Sequence, residues 1–513
     1  MGFYGGRSRS ERNQVRRPAA VGYLPTRVLD SIPGALAWLA LILIVVGAVR
    51  EPRWVLAVTA LLGLYTAVRF VLAGVANAMA MRRIARWEHI DWRAEYTRRR
   101  TPNSLAWEAV HHVALIPNYR EHIDKLRATL ERLAAFADAP RALTVVLAME
   151  ADEPGARAKF EQLRREFAGR FARMIYSSHP AGRPGEIPGK ASNEAWAARL
   201  VKGHLVDELG YPLNNLVVTV MDADSMLHPR HLEALTCLFA TDSKRWRVFW
   251  QAPVRYHNNV WEVAPAISLL HVYSSAWETA YLSAPWWFPL PYSTYSVSLR
   301  LLHEVGYWES EPEDQHIFTQ SYFHYGGDVH VRPLYLPFSA DATTGPNLVA
   351  AFRARYRQTA RHASCGVWEI SYTLDQLTRS GASVPPRGGL QLLMQVTHDQ
   401  IMAGAGWVMM TLGAQLPFLL HPRLLVFDSP EMLTLSIAMG IVMLMGIAFW
   451  VMDWSARPPR QRPWTWGEWL GVLVSFPLLP VMTVISLALP VLDAQTRLLL
   501  GHSSRYGRIT EKA

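Results

Sequence analysis

The sequence predicts an α/β domain with a mostly parallel sheet, joined to an α-helical transmembrane region with two spans before it and three or four after it. Three observations carry this expectation. Half of the 513 residues are hydrophobic and only 18% are charged, which is low for a soluble protein. The apolar residues gather toward the two ends in uncharged runs long enough to cross a bilayer. Between them, short β-branched runs alternate with amphipathic stretches, the pattern of a parallel sheet with crossover helices.

Taken in order, residues 1–30 read as a basic tail and residues 31–81 as a transmembrane hairpin. Ser31 to Val49 is a run of 19 residues without a charge, and Trp54 to Met81 is interrupted only by Arg69. The Arg69 side chain can snorkel or face the protein interior. Arg7, Arg9, Arg12, Arg16, Arg17 and Arg27 precede the first span, and Arg82, Arg83 and Arg86 follow the second. By the positive-inside rule both flanks, and the middle domain, are expected in the cytoplasm of a cell-membrane protein. The first apolar run starts too late and is too long for a cleaved signal peptide. Residues 82–106 form a connector, 107–379 the α/β domain, 380–400 an interfacial helix or linker, 401–499 the second membrane region and 500–513 a cytoplasmic tail.

In that second region Ile401 to Pro422, Met432 to Met452 and Trp469 to Leu492 lack any charge apart from histidine. Basic residues flank the last run on both sides: Arg457, Arg460 and Arg462 before it, Arg497, Arg505 and Arg508 after it. If both flanks are cytoplasmic, the run enters and returns, bending at Pro477 and Pro480, each of which removes a helical N–H. The alternative is one kinked span with the C-terminus outside.

Charge and cysteine content exclude other classes. The net charge is +10, and Arg supplies 46 of the 52 basic residues. No recognition motif accompanies that charge, so nucleic-acid binding is not expected. Cys237 and Cys365 can form at most one bridge and match no metal-ligand spacing, which reads as two thiols in a reducing compartment. His111-His112 and His303-Glu304 lack the H-E-x-x-H spacing of a zincin.

Within the α/β domain, candidate strands are His112 to Ile116, Leu143 to Met149, Arg173 to Ser177, Leu216 to Met221 and Arg247 to Gln251, with helices such as Arg120 to Ala137 and Pro229 to Thr241. Ligands bind such sheets beyond the carboxyl ends of the strands. Asp222-Ala223-Asp224-Ser225 follows an apolar strand directly, so both carboxylates can turn toward Mg2+ or Mn2+ on a substrate diphosphate; elsewhere the same triplet is a solvated turn. Glu313 and Asp314 can supply a general base, or can simply favour the start of a helix after Pro312. The arginine-dense Arg353 to His362 can offer a cationic face to a leaving diphosphate, through Gln358 and Arg361, or bind anionic lipid. Lys190, in a turn entering a helix, can meet an anion there or remain a solvated lysine. Trp286, Trp287, Phe288 and Trp308 can stack on a sugar or serve as core and interface aromatics.

In their order along the chain these pieces resemble the membrane-embedded family 2 glycosyltransferases, the group that includes cellulose and hyaluronan synthases. Ile116-Pro117-Asn118-Tyr119-Arg120-Glu121 resembles their opening strand motif, and Gly189-Lys190-Ala191-Ser192-Asn193 the Gly-Lys-x-x-Asn turn at the nucleotide. Asp222 and Asp224 match the D-x-D, Glu313-Asp314 the Thr-Glu-Asp whose Asp is the base, and Gln358 to His362 the Gln-x-x-Arg-Trp of processive members. The resemblance implies a Rossmann-like GT-A domain and transfer, with inversion, from a nucleotide-sugar donor, expected to be UDP-linked. Asp314 is then the base with Glu313 beside it. Glu150, Lys190, Asn193, Asp222, Gln358 and Arg361 bind the donor, and Asp222 and Asp224 hold Mg2+ or Mn2+. The acceptor is a growing polysaccharide, with possible coupled export, or a lipid such as a polyprenyl phosphate; a transporter with a non-catalytic domain is the reading from another class. Three departures stand out: Met149-Glu150-Ala151-Asp152 replaces paired aspartates, Pro312 the Thr, and His362 the Trp.

Overall fold

A computed structural model describes residues 25–183, 186, 189–309, 313–379, 384–422 and 429–502. Arg7, Arg9, Arg12, Arg16 and Arg17, Pro312, and Arg505 and Arg508 lie outside the described residues. The chain runs α1 (Thr26–Arg50), α2 (Pro52–Trp87), α3 (Trp92–Arg99), β1 (His111–Asn118), α4 (Ile123–Ala134), α5 (Ala139–Ala142), β2 (Leu143–Glu150), α6 (Ala156–Glu166), β3 (Arg173–His179), α7 (Lys190–Val201), β4 (Leu216–Val220) and α8 (His231–Thr241). It continues β5 (Val248–Gln251), β6 (Val254–Arg255), α9 (Pro265–Ser283), β7 (Tyr295–Ser298), α10 (Leu299–Glu304), α11 (Glu313–His324), β8 (His330–Pro333), β9 (Phe338–Ser339) and α12 (Leu348–Thr378). The C-terminal helices are α13 (Pro386–Ile401), α14 (Ala414–Leu420), α15 (Pro430–Trp454), α16 (Trp466–Thr483) and α17 (Leu489–Leu499).

Seven strands form one sheet in the order β3-β2-β1-β4-β7-β5-β8. All neighbours are parallel except β7, which runs antiparallel to both β4 and β5. The mostly parallel sheet expected from the sequence is therefore present, beside long apolar helices. Because both faces are covered, the inner strands are apolar nearly throughout; every residue of β2 is buried. One core packs α4, α6 and α8 on the first face and a second packs α7, α10 and α11 on the other. The sequence reading missed β7 because its strand is polar. Ser296 meets Thr219 of β4 at 2.8 Å in the buried interior, so hydroxyl pairing replaces the apolar contacts by which strands are usually recognised. β8, half exposed at the sheet edge, was missed as well.

Among the described residues, four helices are long and apolar enough to cross a membrane: Arg27–Arg50, Pro52–Trp87, Pro430–Trp454 and Trp466–Leu499. A bent pair, Arg387–Gly406 and Met409–Leu420, can make a fifth. α1 and α17 approach so closely that a Cβ on Gly34 would lie 2.7 Å from that of Leu499. The helix 466–499 passes through Pro477 and Pro480 without forming a hairpin. At its start Trp464 packs on Trp261 of the α/β domain. At its end Arg27 donates to the carbonyls of Leu498 and Leu499, two residues from Leu29, which is held by Ser371 of α12.

Candidate active site

The sheet changes winding direction between β1 and β4, and the carboxyl ends of these strands open toward the N-terminus of α7 and the start of α11. Lys190, the first residue of α7, is the hub. Its Nζ lies 2.6 Å from Glu313 Oε1, 3.1 Å from Asp222 Oδ1, 3.6 Å from Glu194 Oε1 and 3.7 Å from Asp314 Oδ1. Four carboxylates around one ammonium leave the cluster with excess negative charge. Burial disfavours the charge on Lys190, yet Asp222, Asp314, Glu313 and Glu194 together hold its pKa well above the ordinary lysine value.

Asp222 and Asp314 are also joined by Ser293, in the loop between α9 and β7. The Ser293 N–H donates to Asp314 Oδ2 at 2.6 Å and its hydroxyl to Asp222 Oδ2 at 3.1 Å. Ser293 adopts φ of 50°, a conformation uncommon for a residue with a side chain, so the surrounding structure holds the loop in this position. Asp314 Oδ1 is buried and has no hydrogen-bond partner among the described residues. Burial raises the Asp314 carboxyl to about 7; the Lys190 charge opposes this, while Glu313 and Asp222 add to it. A carboxylate at that value can accept a proton near neutral pH.

Asp224 turns away from Lys190. Its Oδ2 accepts the Asp341 N–H at 3.1 Å and its carbonyl accepts from Asn258, while Asp341 is paired with Lys125 at 3.1 Å. Both Asp222 and Asp224 act on the buried Tyr256 hydroxyl, whose pKa is driven up chiefly by burial. Among the described residues no group of three His, Cys, Asp or Glu is placed to hold a metal ion. Two carboxylates suit Mg2+ or Mn2+ only where substrate oxygens and water complete the shell, the usual arrangement on a diphosphate.

The remaining predicted residues stand farther out. Glu150, at the end of β2, pairs with His179 at 3.1 Å, which in turn reaches Glu186 at 3.0 Å. Asn193 is buried, and its amide donates to Ala148 O of β2 at 2.8 Å, so this group fastens α7 to the sheet. On α12, Gln358 is buried and accepts from Arg355 at 3.0 Å. Arg361 meets the exposed His362.

The sequence reading named neither Ser293 nor Glu194. Ser293 carries no local signal in Pro291-Tyr292-Ser293-Thr294, whereas Glu194, one turn after Lys190, could have been found from i,i+4 spacing. Arg355 was within the basic stretch but was passed over for Gln358 and Arg361. It binds Ser274 of α9 at 2.7 Å and faces the charge of Glu278.

No family model matches the sequence, and no curated protein matches it. Among solved structures, the chain is similar to a mannosyltransferase from Pyrobaculum calidifontis in complex with GDP-Man and Mn2+, at 12% identity and a TM-score of 0.43, covering 77% of this chain and 100% of that one. It is similar to TarS 1–349 from S. aureus at 12% identity and a TM-score of 0.34, covering 76% and 91%. It is also similar to glucosyl-3-phosphoglycerate synthase from Mycobacterium tuberculosis, in complex with Mn2+, UDP and phosphoglyceric acid, at 11% identity and a TM-score of 0.32, covering 56% and 85%. None of these scores reaches 0.5, so the chemistry of this chain has to follow from its own site.

Proposed function

We propose that the protein is a membrane-embedded, inverting glycosyltransferase of the family 2 type, with a GT-A catalytic domain on the cytoplasmic face of the cell membrane. It takes a sugar from a nucleotide-diphosphate donor, UDP-linked by preference, and adds it to a growing polysaccharide. One observation carries the reading: Lys190 gathers Asp222 and the adjacent Glu313 and Asp314, from two separate segments, into one cleft.

Asp314 Oδ1 is the base. The acceptor oxygen gives its proton to this carboxylate and forms the new bond to the anomeric carbon as the bond from that carbon to the diphosphate breaks on the opposite side. Asp222 and Asp224 would hold Mg2+ or Mn2+, which offsets the charge of the departing diphosphate. Lys190, Gln358 and Arg361 would bind the departing nucleotide. Glu150 faces the nucleoside, and Asn193 supports α7 from within.

The test is a screen of the purified protein for divalent-cation-dependent nucleotide release across a panel of activated sugars. Release with at least one donor is expected, and Asp224→Ala should weaken cation-dependent donor binding. No release with any donor, or the same cation dependence in the variant, would count against the site.

A further inference from the structure

Two arginines lie inside the helical part of the molecule, and they are balanced differently. Arg69 of α2 pairs with the Asp399 carboxylate of α13 at 3.3 Å. Arg355 of α12 has neutral hydrogen-bond partners: it donates from Nη2 to the Ser274 hydroxyl of α9 at 2.7 Å and from Nη1 to Gln358 Oε1 at 3.0 Å. Glu278 of α9 does not neutralise it at neutral pH, because burial raises that carboxyl to about 8 against the opposing charge of Arg355. A cation drawn out of water without an ionised partner is costly, so stability alone does not account for Arg355.

The hydrogen bonds around Arg355 fix which end of Gln358 it takes. His271, one turn before Ser274 on α9, accepts the Thr343 N–H at Nε2 at 3.0 Å. The ring proton is therefore on Nδ1, which stands 3.5 Å from Arg355 Nη1. Two donors meet there, so the acceptor for Nη1 is Gln358 and not the imidazole. A guanidinium only donates, so the oxygen of the Gln358 amide must face Arg355 and its N–H2 must face the other way. A diphosphate only accepts. Held in this sense Gln358 offers it donors, whereas the flipped amide would set an oxygen against phosphate.

This group stands beside the Asp222-Ala223-Asp224 loop. The His271 ring lies 4.5 Å from that of Tyr256, and Asn258, two residues further on, donates to the Asp224 carbonyl at 2.7 Å. Arg355 and Gln358 are neighbours one helical turn apart on α12. We propose that Arg355 is a positioning residue for the departing nucleotide: anchored to α9 through Ser274, it locks the Gln358 amide with its N–H2 toward the diphosphate. This rests on the transferase reading and goes beyond it by giving a task to an arginine outside the Gln-x-x-Arg pattern.

The experiment measures the affinity of the full chain in lipid nanodiscs for UDP, GDP and ADP, each with Mn2+, in a double-substitution cycle. Gln358→Ala should weaken binding of the preferred nucleotide about ten-fold. Arg355→Lys keeps the charge but loses the planar fork, and should weaken it about five-fold. With both changes the loss should stay at about ten-fold, because Arg355 acts through Gln358. Gln358→Glu still accepts from Arg355 but has no N–H2 to offer, and should bind at least as poorly as Gln358→Ala. Where Arg355→Lys fails to fold, Ser274→Ala loosens the same anchor and should cost about three-fold, again only while Gln358 is present. Losses that multiply in the cycle, to about fifty-fold, or wild-type affinity in Arg355→Lys, in Gln358→Glu or, as its substitute, in Ser274→Ala would overturn the proposal. A wild type that binds none of the three nucleotides defeats the transferase reading itself. Binding that Gln358→Ala leaves unchanged, or a cycle that multiplies, defeats only the role given to Arg355.

Discussion

The Lys190 cluster and the Arg69 cluster both hold charged groups away from bulk water, and they balance those charges differently. Around Lys190, Asp222, Glu194, Glu313 and Asp314 leave a surplus of negative charge. Around Arg69 a single carboxylate, Asp399, also meets His398 at 2.9 Å, and aromatic rings fill the space around them. A surplus of one sign favours a ligand of the other sign. A matched pair packed among indoles carries no such surplus. The difference teaches that charge balance, more than charge content, indicates what each place is built to hold.

Asp314→Asn tests the first half of the comparison most severely. Removing the base should slow sugar transfer about 10²–10⁴-fold, read as nucleotide release with acceptor present, with donor binding retained; full activity would remove Asp314 from its role. The pH profile follows. Because Asp314 is raised to about 7, the working carboxylate form is lost as pH falls through that value, and kcat/KM should drop about ten-fold per unit below it. Lys190 is the largest influence that holds this value down, so Lys190→Gln should move the profile upward. A profile left in place would mean that the lysine does not act on Asp314.

A third buried charge group sharpens the comparison, since it joins the helix of Asp314 to α12. His316 lies 2.7 Å from Glu369 of α12 and 3.2 Å from Glu309. Burial pushes its pKa down, but Glu369 and Glu309 outweigh this and raise it to about 9. The stability it adds is fully present below the ordinary histidine value and is lost as pH rises through about 9. Glu369→Gln should destabilise the protein by about 3 kcal/mol, measured by thermal unfolding at pH 6 and again at pH 10, where the difference should shrink. The smallest effect belongs to a site remote from both clusters. Thr465 caps α16, with Glu468 returning the bond, and Thr465→Ala should cost about 1 kcal/mol with both clusters intact.

Much of this was legible beforehand, for reasons that differ by element. β1, β2 and β4 announce themselves because a parallel sheet covered on both faces needs unbroken apolar strands. Asp222, Asp224, Glu313, Asp314 and Lys190 could be singled out because carboxylates and a scarce lysine stand at strand and helix ends. β7 could not, since Ser296 and Ser298 look like loop residues until Thr219 is placed opposite one of them. For Arg69 the sequence left snorkelling and an inward position open, and its pairing with Asp399, 330 residues away, belongs to the tertiary structure.

By itself, then, the sequence determined the alternation of strands and helices, the apolar helices at both ends and the identity of the chemical groups, because periodicity and hydropathy act over a few residues. Only the tertiary structure decided which of those groups meet: that Ser293 bridges Asp222 to Asp314, that Asn193 faces the sheet, and that the end of the 466–499 helix meets Arg27. Such contacts arise where segments distant along the chain are packed together, and no local pattern encodes which charges will end up sharing a cleft.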